Sequence, residues 1–319
     1  MHTVMPPENS INEDQGSNRR EAFQRNVLAA TDTEKLKSNL TRQISDKTIP
    51  RQGNTSSQHH HNSTHKRMIL STTNAAYVDF AENWLESIRR IGFKLNITVV
   101  AEDHDVYTHL LRRTDIHVME ADQLAQSEKL VFDSPEYKKF VNKRPQYILD
   151  FLLKGVDVLF TDVDTVLLDD PFQYFDEFSD IFIQEDQGPP NNTILCAGFV
   201  YYRSTNLTIQ FVKRWIERMD YHNNTKPDQM LLNMILRKRG KLLKKLKVKI
   251  LSREKFVSGK FYFNDSWRKN HTDRYVNPVM VHNNWIIGHD VKVERFKETG
   301  LWFLDDHVTT DRQMIGQLL

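Results

Sequence analysis

The chain has 319 residues, of which 27% are charged, and a formal net charge of +2. This length accommodates one large α/β domain or two small ones. The charge balance argues against a nucleic-acid partner and against binding to an acidic membrane surface. The single cysteine, Cys196, excludes a disulfide framework, and its apolar neighbours predict a buried structural thiol.

Residues 1–66 are polar and irregular in pattern. They include three consecutive histidines and few aromatic residues, so we predict a disordered tail or stem. The first residues lack the apolar core of a signal peptide, and no apolar run approaches the ~18 residues that cross a bilayer. We therefore expect membrane attachment only through an anchor that is absent from this chain.

Acceptor sites for N-glycosylation are frequent in this sequence. Nine Asn-x-Ser/Thr sites occur, at Asn39, Asn54, Asn62, Asn96, Asn191, Asn206, Asn223, Asn264 and Asn270. With this content of Asn, Ser and Thr, chance would give about three. The excess predicts passage through the secretory pathway. The alternative is an asparagine-rich cytosolic chain, the location expected if the chain is complete as given.

The folded part is predicted to begin at residue 67 with alternating strands and helices. A strand at residues 67–74 precedes an amphipathic helix that ends at Gly92. The next predicted elements are a strand at 96–101, a polar helix at 106–113 and a strand at 116–120. Strands that alternate with helices predict a parallel, doubly wound α/β sheet.

Apolar residues at helical spacing predict one helix over residues 134–155. The strand that follows is rich in valine and phenylalanine and is polar on neither face, which is typical of the middle of a sheet. The later predicted elements are strands at 180–184 and 195–203, helices at 207–219 and 227–237, and strands at 248–251 and 279–282.

Two aspartates, Asp162 and Asp164, follow this central strand. On an extended backbone, residues two apart point to the same side, and converging carboxylates repel each other unless a cation lies between them. A divalent metal at such a place usually holds a phosphate. Asp103 and Asp105 have the same spacing, so an Asp-x-Asp pair alone is weak evidence for a metal site. The buried strand before Asp162 and the apolar run after Asp164 favour a metal site over a capped turn.

Five ordered motifs resemble those of one family. The first reads Gly-x-Asp-Val-Leu-Phe-x-Asp-Val-Asp from Gly155 and ends in Asp-Pro-Phe at Phe172. The others lie at residues 72–74 with 83–85, at 196–201, at 226–233, and at 281–288 with Lys292. Together they resemble the nucleotide-diphospho-sugar transferase family, GT-A-type glycosyltransferases that include plant rhamnogalacturonan xylosyltransferases and arabinosyltransferases.

The resemblance implies a GT-A-type fold, a Rossmann-like, doubly wound and mostly parallel sheet, in a single catalytic domain over residues 67–319. It implies a metal-dependent glycosyltransferase that moves a sugar from a UDP-sugar to a glycan or glycoprotein acceptor, with retention of configuration. A pentose such as xylose is favoured because family members transfer xylose and arabinose. The implied location is the Golgi lumen, through a type II anchor that this sequence lacks.

The resemblance also gives roles to individual residues. The metal ligands, for Mn²⁺ or Mg²⁺, are Asp162, Asp164 and His282, with His289 as the alternative imidazole. The donor-binding residues are Thr72, Thr73, Asn74, Lys143, Arg144, Asp162, Gly288 and Lys292. The catalytic pair is Asp228 and Gln229, and the acceptor contacts are Glu185 and Asp186. With retention, the leaving phosphate can accept the acceptor's proton, so no dedicated base is required.

Two other classes also fit an Asp-x-Asp pair. Metal-dependent aspartyl phosphatases place the pair after an apolar strand, but they require Thr where Val166 stands and place the motif near the start of the domain. A non-catalytic nucleotide-sugar-binding protein would be expected to have lost some of the proposed ligands, and all of them are present.

Overall fold

A computed structural model describes most of the chain from Lys66 onward. The described residues are 66–92, 96–122, 128–187, 193–238, 240, 243–264 and 277–304. The predicted tail therefore lies outside the described residues, except for Lys66, and the boundary between tail and catalytic domain stays a prediction.

The strands form one large and one small sheet. Their bounds are β1 Lys66–Thr73, β2 Asn96–Ala101, β3 His117–Glu120, β4 Val156–Thr161, β5 Thr165–Leu167, β6 Ile181–Gln187, β7 Ile194–Tyr202, β8 Val248–Ile250, β9 Phe256–Ser258 and β10 Met280–His282. The large sheet has seven strands in the order β3-β2-β1-β4-β7-β6-β8, and the small sheet has the order β5-β10-β9.

Most neighbours in the large sheet are parallel. The pairs from β3 to β4 are parallel, β7 is antiparallel to both β4 and β6, and β8 is parallel to β6. In the small sheet, β10 runs antiparallel to β5 and parallel to β9. This arrangement confirms the predicted mostly parallel α/β sheet, with β7 as the reversed strand.

Helices connect the strands. Their bounds are α1 Val78–Ile91, α2 His104–Leu110, α3 Pro135–Val141, α4 Arg144–Leu152, α5 Asn206–Tyr221, α6 Asp228–Arg237, α7 Gly259–Tyr262 and α8 His289–Glu298. Short 3₁₀ turns lie at Ala75–Tyr77 and Pro171–Tyr174. Across the described segments, none of the helices combines the length and apolar character needed to span a membrane.

The prediction of one helix over residues 134–155 was wrong. The chain forms α3 and α4 instead, with Asn142 and Lys143 between them. Pro145 lies in the first turn of α4, where its missing N–H removes no hydrogen bond. The Asn142 side-chain amide donates to the Lys226 carbonyl over 3.1 Å and fixes the break. Apolar periodicity continued across the junction, but the proline could only begin a new helix.

Apolar clusters cover both faces of the large sheet. Successive residues of a strand face opposite sides, so Leu70 and Phe160 lie in one buried cluster while Ile69 and Leu159 lie in the other. A third buried cluster joins α1, β10 and α8. The small sheet and α8 are thereby held against the large sheet beside the end of β4, where the candidate site is found.

Candidate functional site

The turn after β4 positions the two aspartates that are predicted to bind metal, Asp162 and Asp164. The carbonyl of Asp162 accepts hydrogen bonds from the Thr165 N–H over 3.2 Å and from its hydroxyl over 2.8 Å. The Asp162 N–H donates to the Gly198 carbonyl on β7 over 2.8 Å. These bonds tie the turn to its neighbouring strand, and Asp164 is buried at its centre. The paired acids are therefore held on a rigid part of the backbone.

β10 brings His282 to the two acids. In the antiparallel pair of β10 and β5, His282 lies opposite Thr165. Its Nε2 is 3.2 Å from an Asp164 oxygen and 3.7 Å from an Asp162 oxygen. One ligand atom from each of these three residues lies within 4.8 Å of the others. His289, the alternative imidazole, instead contacts Asp79 and Asp290.

Gln184 fixes the orientation of the His282 ring. The His282 Nδ1 lies 3.1 Å from the Gln184 Oε1 and 3.6 Å from the Cys196 Sγ. An amide oxygen can only accept, so Nδ1 carries the hydrogen and Nε2 faces the carboxylates. Cys196 is buried, as predicted, and burial raises its pKa well above the ordinary value.

Two cations flank the acids. The Lys292 Nζ, on α8, lies 2.5 Å from an Asp164 oxygen, and Arg144, on α4, lies 2.9 Å from an Asp162 oxygen. Burial opposes ionisation of Asp164, but Lys292 and His282 outweigh it and hold its pKa below the ordinary range. The pKa of His282 is raised: burial alone would lower it, but the neighbouring Asp164 carboxylate outweighs burial.

Arg144 also contacts Asp228, at the start of α6, over 3.5 Å. Burial raises the pKa of Asp228 to about 6, although Arg144 opposes the rise. The guanidinium lies 5.3 Å from the centre of the Phe160 ring. Arg144 therefore links the predicted metal ligand Asp162 to the predicted catalytic residue Asp228.

Gln229 connects β7 to Asp186. Its Oε1 accepts the Ala197 N–H over 2.9 Å, and its Nε2 lies 3.2 Å from an Asp186 oxygen. Asp186 faces the same side as Gln184, toward β10 and the residues after it: Gln184 contacts His282, and Asp186 accepts from the Asn284 amide over 2.7 Å. Glu185 points the other way and pairs with Arg253 at 2.7 Å. Of the two predicted acceptor contacts, only Asp186 joins the side chains around the site.

Three of the remaining predicted donor residues lie at the carboxyl end of β1, and Lys143 reaches the end of β2 from the junction of α3 and α4. Thr72, Thr73 and Asn74 are buried there, and the Asn74 side-chain amide donates to the Glu128 carbonyl over 3.0 Å. The Lys143 Nζ pairs with the buried Glu102, just after β2, at 2.7 Å.

Gly288 and the second Asp-x-Asp pair occupy helix starts. Gly288 immediately precedes α8, with a φ of 111° that favours glycine. Asp103 caps α2 by accepting the Val106 N–H, and Asp105 is exposed. The second pair is therefore a capped turn.

Comparison with known proteins places the chain in a family. The sequence profile of the nucleotide-diphospho-sugar transferase family matches residues 94–296, more than half of the chain. The chain belongs to the nucleotide-diphospho-sugar transferase family. It is a glycosyltransferase.

Individual relatives carry more specific names. A UDP-D-xylose:L-fucose alpha-1,3-D-xylosyltransferase of Arabidopsis thaliana is 30% identical over 76% of this chain and 71% of that protein. A UDP-galactose:fucoside alpha-3-galactosyltransferase of Dictyostelium discoideum is 30% identical over 53% of this chain and 29% of that protein. Among solved structures, the glycosyltransferase GlyE of Streptococcus pneumoniae is 14% identical, with a TM-score of 0.46 over 79% of this chain and 65% of that chain.

Sequence reasoning gave no role to two residues that shape the transferase's site. Gln184 reads as an ordinary polar residue in a strand. Gly198 lies inside one of the five motifs, but the requirement for glycine there is geometric. A Cβ there would lie 2.2 Å from an Asp162 oxygen and 2.8 Å from the His282 Cε1. Only glycine leaves room for the two predicted ligands, Asp162 and His282, side by side.

Gln184→Leu is expected to weaken Mn²⁺ binding at the predicted metal site about 10- to 100-fold, as loss of a residue that orients a ligand does. The leucine cannot accept the Nδ1 hydrogen, so the His282 ring loses its fixed orientation. Electron paramagnetic resonance of free Mn²⁺ would measure the Kd. Gln146→Leu, at an exposed position, is the matched control. An unchanged Kd in Gln184→Leu would show that other contacts orient the ring.

Asp228→Asn is expected to remove a pH-dependent part of the transferase's stability. The folded-state pKa, about 6, lies above the ordinary value of 3.8, so folding favours the protonated acid. The stabilising contribution of the protonated Asp228 is fully present below pH 3.8 and is lost as pH rises through 6. The free energy of unfolding of the wild type should therefore fall by about 3 kcal/mol over this interval, relative to that of the variant.

Urea unfolding between pH 4 and pH 7 would measure this difference. Asp220→Asn, at an exposed position on α5, controls for the loss of one negative charge. A difference for Asp228→Asn that does not change with pH would contradict the raised pKa.

Proposed function

We propose that this transferase moves a sugar from a UDP-sugar to a glycan acceptor, using Mn²⁺ or Mg²⁺ bound by Asp162, Asp164 and His282. One observation carries the proposal. Two carboxylates and an imidazole from distant parts of the chain converge within 4.8 Å at the carboxyl edge of the sheet. Open α/β sheets bind nucleotides at this edge.

The residues fit a divalent cation. Carboxylate and imidazole ligands together suit Mn²⁺. The contact with Gln184 leaves the His282 Nε2 for a ligand bond, and Gly198 keeps the space between the ligands open. When bound there, the cation would neutralise charge on the diphosphate leaving group.

Protein cations would share the task of neutralising the diphosphate. Lys292 and Arg144 each contact one of the acids, so both charges lie beside the place where the phosphates would sit. Gly288 allows the backbone to approach them at the start of α8. Thr72, Thr73 and Asn74 would line the nucleotide pocket beside β1, and Lys143 would add charge at the end of β2.

The acceptor would approach from the side of β6. Asp186 and Gln229 would orient its hydroxyl, with Asp228 beside them. Glu185 is the weaker acceptor candidate because Arg253 already pairs with it. In a retaining reaction the acceptor's proton would pass to the leaving phosphate, so Asp228 and Gln229 would position groups rather than act as a base.

The relatives' names suggest the substrates. Because they name xylose or galactose as the sugar and fucose or a fucoside as the acceptor, we propose a UDP-pentose such as UDP-xylose and a fucose-containing glycan or glycoprotein. We also propose the Golgi lumen as the location. Of the acceptor asparagines in the described residues, Asn96, Asn206, Asn223 and Asn264 are exposed, so glycosidase digestion of protein from its own cells should lower its mass.

The decisive experiment is a panel of UDP-sugars with L-fucosides, with and without Mn²⁺. Transfer should require the metal, and a thermal shift with UDP plus Mn²⁺ should disappear in Asp162→Asn and Asp164→Asn. Asp105→Asn, from the capped turn, is the matched control and should behave as the wild type. Transfer that persists after chelation would refute the metal site, and hydrolysis of simple phosphomonoesters with no effect of UDP would favour a phosphatase.

A further inference from the structure

Trp285 is held in an unusual state for a tryptophan. Its φ is 62°, in the left-handed region that bulky residues rarely adopt. Its side chain is 47% exposed, whereas Trp84 and Trp215 are 0% and 1% exposed in the core. A strained backbone that presents a large aromatic ring to solvent is not explained by packing, and such strain concentrates at functional sites.

The ring is nevertheless fixed in position. The Trp285 Nε1 donates to an Asp186 oxygen over 2.9 Å, and the Asn284 amide donates to the same oxygen over 2.7 Å. The Lys260 Nζ lies 4.4 Å from the ring centre and also donates to Gln187 over 3.1 Å. An exposed aromatic ring held in this way forms a rigid flat surface.

This surface lies beside the candidate site, on the side away from the nucleotide pocket. Trp285 follows His282 by three residues, a span of at most about 11 Å. Its partner Asp186 also accepts from Gln229. The sheet order places β6, which carries Asp186, and β1, which would border the nucleotide, on opposite sides of β4.

We propose that Trp285 is the stacking platform for the sugar ring of the acceptor. The C–H face of a sugar ring is apolar and packs on an aromatic face, while the hydroxyls at its rim reach polar groups. The acceptor ring lies on the face of Trp285 opposite Lys260. Asp186, which holds the indole in place, also couples the platform to Gln229. This inference rests on the proposed function, because it specifies how that site recognises its acceptor.

The test compares Trp285→Ala and Trp285→Phe with the wild type. In Trp285→Ala the KM for an L-fucoside acceptor rises about tenfold or more, while the KM for the UDP-sugar and the affinity for UDP plus Mn²⁺ stay unchanged. Trp285→Phe, which keeps a flat ring, lies between the two. Phe178→Ala removes a ring that is 77% exposed elsewhere and serves as the control. An unchanged acceptor KM, or a parallel loss of UDP affinity, overturns the proposal.

Two further measurements separate this proposal from the proposed function. Saturation-transfer NMR with a panel of methyl glycosides that includes the L-fucoside requires no turnover. Signals in the wild type that are lost in Trp285→Ala support the platform even if no UDP-sugar is used, and no signal for any glycoside in the wild type overturns it.

Trp285→Gly relieves the backbone strain, so its Tm should not fall. A fall of more than about 5 °C would make the ring structural and overturn the proposal.

Discussion

Gly198→Ala is expected to abolish binding at the proposed metal site and to lower the rate of sugar transfer strongly, while leaving the fold intact. The added Cβ would lie 2.2 Å from an Asp162 oxygen. The Cβ would also lie 2.7 Å from the Asp162 Cγ and 2.8 Å from the His282 Cε1. These atoms all belong to side chains, so both side chains must shift while the backbone of β7 stays in place. The shift of Asp162 removes one proposed metal ligand and breaks its contact with Arg144. Loss of a catalytic metal's charge stabilisation lowers kcat by about 10²-fold or more.

The matched control for Gly198→Ala is Gly240→Ala, because a Cβ at Gly240 would meet no atom within 4 Å. Mn²⁺ titration, transfer rate and circular dichroism should be compared for the two variants. Gly240→Ala should match the wild type in all three measurements. If Gly198→Ala kept its Mn²⁺ affinity, Asp162 would not be a ligand in the arrangement proposed here.

The sequence predicted the elements whose signals are local. Asp162 and Asp164 could be found because a buried strand, the spacing of two residues and the following apolar run all lie within one short stretch. The break before α4 was also a local signal, since Pro145 favours the first turn of a helix. It was missed because the apolar periodicity of residues 134–155 continues on both sides of the break.

Contacts between distant strands could not be predicted from periodicity. His282 meets the aspartates because β10 pairs with β5 in one register, and only the family resemblance indicated it. Gln184 and Asp186 take their roles from the side of β6 that they face, whereas Glu185 faces Arg253. Which face of a strand meets a site depends on the whole sheet. The pattern of β6 alone therefore left both Glu185 and Asp186 as candidate acceptor contacts.

Acidic and basic side chains alternate through the candidate site. Lys292 contacts Asp164, His282 lies between Asp164 and Asp162, and Arg144 contacts both Asp162 and Asp228. Each buried acid therefore depends on a neighbouring cation. Because buried charges are costly without a partner, removal of one cation should affect the stability of the fold as well as the activity.

Arg144→Met is accordingly expected to lower the free energy of unfolding by about 3–5 kcal/mol at neutral pH, as loss of one partner from a buried ion pair does. The Arg144 side chain is 11% exposed, and it contacts Asp162 and the buried Asp228. Burial alone would lower the pKa of Arg144, but the two acids outweigh that effect, and the pKa is raised. Methionine fills a similar volume beside Phe160 without the charge. Urea unfolding would measure the loss.

The double variant Arg144→Met/Asp228→Asn separates the charge effect from packing. Without Arg144, Asp228 has lost the cation that opposes the rise of its pKa, so much of the cost should come from this one buried acid. Replacing the acid should therefore recover most of the lost stability, whereas activity should stay low because Asp162 still lacks its partner. Arg214→Met, which breaks an exposed pair with Glu217, should cost less than about 1 kcal/mol. If the double variant were no more stable than Arg144→Met, lost packing rather than an unpaired carboxylate would explain the instability.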